Sequence, residues 1–353
     1  LPRIVVAMSG GVDSSTAAAL LWERGHDVVG VTLKLYDARG TAASIGGRCC
    51  TPRDIEDARA TAARFGFPHY VLDESEAFAR GVIDDFIAAH RNARTPNPCV
   101  RCNEKLKFGP LVRFARSIGA EALATGHYAR LDVSPEGVRL RRAVDRDKDQ
   151  AYFLFAVDPS LWPFVRFPLG GMSKAEVRAE AQRLQLPNWD KPDSQEICFI
   201  PDGNHKAFVE ARGGAGKAGA IVDEGGRTLG EHAGTHNFTV GQRKGVPAVG
   251  GGDPRFVVRI DAATGKVIVG PRSDLGTREV GVEDARWLHA AGADPIRCEV
   301  QIRHHAVARP ATVVPAASGA RVSFDEPVPG VAPGQAAVFF RDDEVLGGGW
   351  VSA

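Results

Sequence analysis

"RIVVAMSGGVDSSTAAALLWERG", residues 3–25, decides the fold. Residues 3–8 are apolar and β-branched, and read as a buried strand. "SGGVDSS" (9–15) follows with two glycines, an acid and three hydroxyls, and "SSTAAALLWERG" (14–25) reads as a helix stopped by Gly25. A strand that turns through glycines into a helix can cradle an anion. The glycines let backbone N–H groups approach the charge, and the helix N-terminus adds its positive end. Asp13 could help hold Mg²⁺, and Ser14 and Ser15 supply hydroxyls. The plain alternative is a tight turn with serine caps. The Gly-Lys-Ser/Thr ending of a Walker loop is missing, so a kinase or GTPase reading fits poorly.

Outward from this stretch, strand-like runs at 27–33, 68–73 and 121–126 alternate with helix-like runs at 52–66, 75–90 and 103–118. Such alternation predicts a parallel sheet with helices on both faces, and ligands in such sheets bind beyond the carboxyl ends of the strands. Ser9, Leu33, Gly126 and His127 all fall at such ends. A hairpin ("VRLRRAV") and a helix at 173–185 follow. From about 204 helical periodicity is lost and short β-like runs separated by Gly-rich turns take over, with "ATGK" and "RDDE" as hairpin turns. The expected division is 1–203 as an α/β domain, then 204–274 and 275–353 as two small β-rich domains.

The chain of 353 residues is 44% hydrophobic and 25% charged, as in ordinary globular proteins. No apolar run approaches the ~20 residues of a membrane span. "LPRIVVAMSGG" passes from strand to loop without a signal peptide's charged and apolar regions, so a cytoplasmic location is expected. There, six cysteines are better suited to reactivity or metal binding than to structural disulfides. A net charge of +1 argues against an electrostatic nucleic-acid coat but not against a nucleic-acid enzyme, because local patches matter more than the sum. Residues 204–274 carry 10 basic and 7 acidic side chains and residues 275–353 carry 7 and 10, so any RNA footprint is a selected surface.

"TPNPCVRCNEKLKF" (95–108) places Cys99 and Cys102 three apart, a spacing open to half a zinc site, a redox pair or sulfur chemistry. Zinc fits less well, since no second Cys-x-x-Cys or spaced His pair completes four ligands unless Cys49 or Cys50 contributes. Cys49 and Cys50 otherwise read as small buried hydrophobes, and Cys198, beside the apolar pair Phe199–Ile200, has the same plain reading.

Ser-Gly-Gly-x-Asp-Ser after a first strand resembles the PP-loop of the ATP pyrophosphatases, which cleave between the α- and β-phosphates and adenylate a substrate. "AMSGGVDSS", "TPNPCVRCNEKLKF", "ATGHYAR", "KDQAYFL", "DSQEICFIPDG", "VGQRKG" and "PGQAAVFF" then occur in the order found in tRNA-uridine 2-sulfurtransferases, the 2-thiouridylases of MnmA/TrmU type. The resemblance covers essentially the whole chain. It implies a PP-loop ATP pyrophosphatase domain of the adenine nucleotide alpha hydrolase-like kind, followed by two β-rich domains. ATP with Mg²⁺ would bind at Ala7, Met8, Ser9, Gly10, Gly11, Val12, Asp13 and Ser14, with Leu33 and Gly126 holding the adenosine. The uracil carbon-2 oxygen of a wobble uridine would be adenylated. Sulfur would then come from a persulfide on Cys198, loaded by a cysteine desulfurase or sulfur-relay protein, with Cys102 as the nucleophile that resolves it into a Cys102–Cys198 disulfide. Arg101, Lys105 and Lys107 could favour the thiolates.

By the same resemblance Asn97, Pro98 and Cys99 lie near the target base. His127, Lys148, Asp149 and Gln150 surround the anticodon loop, and Arg303, His304 and Gln335 contact tRNA from the last domain. "GQRKG" (241–245) adds a basic loop suited to phosphates. Each could also be an ordinary surface residue. One departure stands out: many members have Asp where this chain has Cys99. That leaves the acid/base group open and raises an alternative, a three-thiolate iron–sulfur cluster on Cys99, Cys102 and Cys198 with one open iron. A PP-loop ligase that aminates a metabolite would need an ammonia source, and no glutaminase domain is visible. A non-catalytic tRNA-binding protein would leave the PP-loop unexplained.

Overall fold

The computed structural model describes residues 1–36, 52–193, 197–200, 203–247, 254–290 and 292–352; Cys49 and Cys50 lie outside them. Contacts divide the chain into two units: 1–82, 99–203 and 343–345 in the first, and 83–98, 204–342 and 346–353 in the second.

In the first unit β1 (Arg3–Ala7), β2 (Asp27–Lys34), β3 (His69–Asp73), β4 (Ala122–Thr125) and β7 (Val165–Arg166) form a parallel sheet in the order β3-β2-β1-β4-β7. The predicted α/β architecture is observed, with the first strand at the centre. Val5 and Val6 are fully buried because β1 is covered on both faces. Helix α1 (Val12–Glu23) buries Val12 and every residue from Ser14 to Leu21. Its Ala-rich middle allows this, since small side chains let it lie close to two neighbours. One side meets Val6, Val28, Ala58 and Ala62, the last two from α2 (Pro52–Phe65). The other meets Tyr128, Leu169, Val177 and Leu184. Each large aliphatic side chain so buried contributes roughly 1.5–3 kcal/mol. Between β4 and β7 lies a hairpin, β5 (Ala129–Ser134) and β6 (Gly137–Arg142), which begins earlier than expected: "VRLRRAV" supplies its second strand and the first precedes it. Ser173 caps the helix Lys174–Arg183 through a reciprocal capping box with Glu176.

The second unit is β-rich apart from short helices, among them Asp84–Arg91. β8 (Gly219–Asp223), β9 (Thr228–His232), β10 (Phe256–Asp261) and β11 (Lys266–Gly270) form one sheet around Ile221, Val257, Val267 and Val269. β12 (Gly276–Trp287), β13 (Ile296–Gln301), β14 (Arg309–Ala316), β15 (Gly319–Pro329), β16 (Ala336–Arg341) and β17 (Glu344–Val351) follow. Pairing of β12 with both β15 and β17 closes these six into a barrel, which removes its free edges. Val300, Val313, Val322 and Phe339 fill it. The "ATGK" and "RDDE" turns join β10 to β11 and β16 to β17 as expected, Asp342 taking the left-handed conformation at φ 53°.

Candidate active site

Strands β1, β2 and β4 run parallel, so Ala7, Leu33, Gly126 and His127 come together at the carboxyl ends of the strands. Met8 continues the pairing through its N–H to the Val31 carbonyl (2.8 Å), while the Thr32 hydroxyl donates to the Met8 carbonyl (2.7 Å). The chain then turns through Gly10, whose φ of +73° only glycine adopts without strain. A Cβ there would fall 2.1 Å from the Asp54 carbonyl oxygen. Gly11 is the N-cap of α1. The Ser14 hydroxyl donates to the Gly11 carbonyl (3.1 Å) and accepts from the Ser9 N–H (3.1 Å), so the loop is closed on itself. Gly126 presses against this turn: a Cβ on it would lie 2.7 Å from the Ser14 nitrogen. The expected nucleotide residues 7–14 and Gly126 are thus packed together around a helix N-terminus.

Asp13 stands in the first turn of α1, where the Lys174 ammonium (2.7 and 2.9 Å) and the Tyr128 hydroxyl (2.9 Å) donate to it. Lys174 also pairs with Asp193 (2.8 Å), and Asp193 accepts from Lys148 (2.8 Å) and Arg178 (3.1 Å). Burial works against a charge on Asp193, but the Lys148 and Lys174 hydrogen bonds outweigh it and bring the carboxyl down to about 2. Burial and the Asp13 charge push the Tyr128 phenol far above its ordinary range, so it stays a donor. The sequence reading missed Lys174, Tyr128 and Asp193. Their signals were present in "SKAEVR", "GHYAR" and "DKPD", but nothing local links them to Asp13.

The residues expected around the anticodon loop divide. Lys148 is partly exposed. Asp149 is buried, and its carboxylate accepts from the Ala143 N–H (2.8 Å) and from Arg142 (3.1 Å), which fixes the turn it occupies. The Gln150 side chain accepts from the Tyr128 N–H (3.0 Å). His127 shares a hydrogen bond with the Thr125 hydroxyl (2.8 Å) and packs between Phe108 and Phe167. Burial, helped by Lys107, takes its pKa down to about 3, so it is neutral at physiological pH.

Pro98 opens the helix Pro98–Cys102, where its missing N–H costs nothing. Cys99 is exposed and Cys102 buried. The helix then widens into a π-helical turn, Asn103–Lys107, before resuming as Phe108–Ser117. Such widened turns concentrate at functional sites, and no spacing rule predicts this one. Asn103 donates to the Phe153 carbonyl (3.1 Å), Arg101 pairs with Glu104 (2.9 Å), and Lys105 donates to the Gly81 carbonyl (3.3 Å). Two of the cations expected to favour thiolates are therefore engaged. Cys198 is partly exposed, anchored by buried Phe199, whose ring meets Phe78 edge-on at 5.6 Å. Among the described residues no three His, Cys, Asp or Glu side chains are placed to hold a metal ion.

In the second unit Arg303 donates to the Val240 carbonyl (3.2 Å) and to that of Gly330. His304 lies beside His305 (3.3 Å between ring nitrogens), and Gln335 donates to the Thr95 carbonyl (3.4 Å). Arg243 and Lys244 of the 241–245 loop are exposed. Among the described residues, no helix is long and apolar enough to cross a membrane.

Three family descriptions match in succession: "tRNA methyl transferase HUP domain" over residues 2–202, "tRNA methyl transferase PRC-barrel domain" over 206–271 and "Aminomethyltransferase beta-barrel domain" over 277–351. The chain is 49% identical over 359 residues to the tRNA-specific 2-thiouridylase MnmA of Rhodospirillum centenum, covering 99% of this chain and 91% of the relative. It is 47% identical to the protein of the same name from Geobacter metallireducens, covering 99% and 97%. Among solved structures it is similar to a 4-thiouridine synthetase–RNA complex with bound ATP, with TM-score 0.37, 18% identity and coverage of 60% of this chain and 50% of that one. All three family descriptions speak of methyl or aminomethyl transfer, whereas the near-full-length relatives are named for thiolation. With identity of this level along both units and a PP-loop after the central strand, the chain belongs to the tRNA-specific 2-thiouridylase MnmA family.

Proposed function

We propose that this enzyme carries out ATP-dependent 2-thiolation of the wobble uridine of tRNA. The observation that carries the reading is the closed glycine turn at residues 9–14 on a chain related along nearly its whole length to 2-thiouridylases. Carbon–oxygen exchange at uracil C2 fails without activation, because the oxygen is a poor leaving group. The carbon-2 oxygen attacks the α-phosphorus of ATP and pyrophosphate leaves, its charge met by the N–H groups at the start of α1. Asp13 is the carboxylate suited to the Mg²⁺ that accompanies ATP, which would ease departure of the charged pyrophosphate; Lys174 would have to yield its place there. The terminal sulfur of a Cys198 persulfide then attacks C2 and AMP leaves with the original oxygen. Cys102 thiolate attacks the inner sulfur of Cys198, the uridine keeps the outer sulfur, and a Cys102–Cys198 disulfide remains for a thiol reductant. By the family resemblance, Cys99 occupies the position of an acid/base carboxylate.

The sulfur comes from a cysteine desulfurase or relay protein. Lys148 and the 241–245 loop are proposed as phosphate contacts, and the segments 1–203, 204–274 and 275–353 as the functional domains. Nucleoside mass spectrometry with a persulfide donor tests the reading. Cys198→Ser is expected to abolish 2-thiouridine while tRNA-dependent pyrophosphate release continues. Full 2-thiouridine formation by Cys198→Ser would refute the persulfide assignment.

A further inference from the structure

We propose that Lys191, assisted by Asn188, is a positioning residue for the phosphates of ATP, because it holds the Gly10 carbonyl so that the Gly11 N–H faces the nucleotide. The inference rests on reading residues 7–14 as the phosphate loop. The Gly10 carbonyl accepts from the Lys191 ammonium (3.0 Å) and from the Asn188 amide (3.0 Å). In a planar trans peptide the N–H points opposite to the preceding C=O. Fixing the Gly10 carbonyl toward Lys191 and Asn188 therefore aims the Gly11 N–H the other way, away from those two donors.

A Gly-Gly peptide does not choose that orientation by itself. Glycine enters left- and right-handed conformations with similar ease, so the Gly10–Gly11 plane can turn over at little cost. Something outside the loop has to impose the choice. Lys191 is suited to this because its ammonium is fully committed: its three N–H donors are matched by the Gly10 carbonyl, Asp54 (2.7 Å) and Asp57 (2.6 Å). Burial disfavours its charge, but the Asp54 and Asp57 bonds outweigh this and raise its pKa. It is thus a fixed strut between α2 and the loop, not a mobile cation that follows phosphate. Asn188, itself buried, ties the same strut to the Ser15 hydroxyl inside the first turn of α1 (3.0 Å).

Calorimetric titration of the full chain with α,β-methylene-ATP and with adenosine tests this. Both ligands carry the adenosine, but only the first reaches the loop. In Lys191→Met the analogue should bind about tenfold to a hundredfold more weakly, as for loss of one hydrogen bond from a charged donor, while adenosine binding changes less than about twofold. Lys191→Arg, which keeps donors at the position, should recover part of the loss. The triple variant Lys191→Met/Asp54→Asn/Asp57→Asn, which neutralises both carboxylates that lose the ammonium, should show the same selective loss. Equal weakening of both ligands would make Lys191 merely structural, and unchanged analogue binding would remove its role; either overturns the proposal. If the wild-type chain binds the analogue no better than adenosine, the phosphate-loop reading fails and the proposal with it.

Discussion

At the carboxyl end of the parallel sheet the candidate groups are backbone N–H donors and small hydroxyls, gathered by glycines that no other residue can replace. In the β-rich unit the candidate groups are long side chains, and Arg303 and Gln335 are bonded to backbone carbonyls of that same unit. A site made of backbone is written in glycine spacing and can be read directly. A site made of side chains is not, because an arginine on a surface and an arginine holding a turn look identical in sequence.

The largest effect that tests this contrast comes from a methyl group. Gly10→Ala must bear a left-handed φ and a contact of 2.1 Å with the Asp54 carbonyl oxygen. Pyrophosphate release should fall at least about a hundredfold, equivalent to roughly 3 kcal/mol in the barrier. Gly226→Ala in the second unit also has positive φ (+82°) but nothing within 4 Å of the added carbon. It should cost only about 1 kcal/mol of stability and leave release unchanged. Similar losses in both would show that left-handed strain, and not the loop's packing, governs Gly10.

Cys99 comes next. A thiol, with an ordinary pKa of ~8.5, is a weaker proton carrier near neutrality than a tuned carboxylate. Cys99→Ser should keep measurable 2-thiouridine formation, and Cys99→Asp at least as much. If both variants are inactive and the protein purified without air contains iron, the three cysteines are cluster ligands and the persulfide-only route is wrong.

A smaller effect separates RNA contacts from struts. Removing Arg243 and Lys244 together should lower the salt slope of tRNA binding by roughly one unit per phosphate contact. Arg303→Ala should instead lower the thermal midpoint and leave the slope alone. The reverse pattern would make Arg303 the phosphate contact.

The smallest effect is in acid. The folded state takes His127 down to about 3, below its ordinary ~6.5. The unfolded chain therefore binds the proton first as pH falls, and stability that is full above ~6.5 declines toward the folded value. Between pH 6.5 and 5 this one group costs about 2 kcal/mol at most. His127→Asn should flatten the fall in thermal midpoint over that range, and an unchanged profile would mean that His127 is protonated in the folded protein.

Much of the fold was legible because period and punctuation agreed. The central strands, α1 with its stop at Gly25, and the hairpin turns all lay in local pattern. The two-residue strand β7 was not, being too short to carry a period. Neither was the π-helical turn after Cys102, since a single widened turn shifts the apolar spacing by only about one residue. Of the candidate site, the glycine loop was visible. The Lys148–Asp193–Lys174–Asp13 chain was not, because ion pairs across 45, 19 and 161 residues leave no mark in any window of sequence. Asp149 shows the converse: it stands in a promising motif, and what sequence does not reveal is that its carboxylate holds up its own turn.

Isotope tracing tests the central claim most directly. With ¹⁸O placed at carbon 2 of the wobble uridine, a single turnover with ATP and a persulfide donor should transfer the label into AMP, since adenylation joins that oxygen to the α-phosphorus before sulfur expels it. Unlabelled AMP alongside newly formed 2-thiouridine would contradict activation by adenylation.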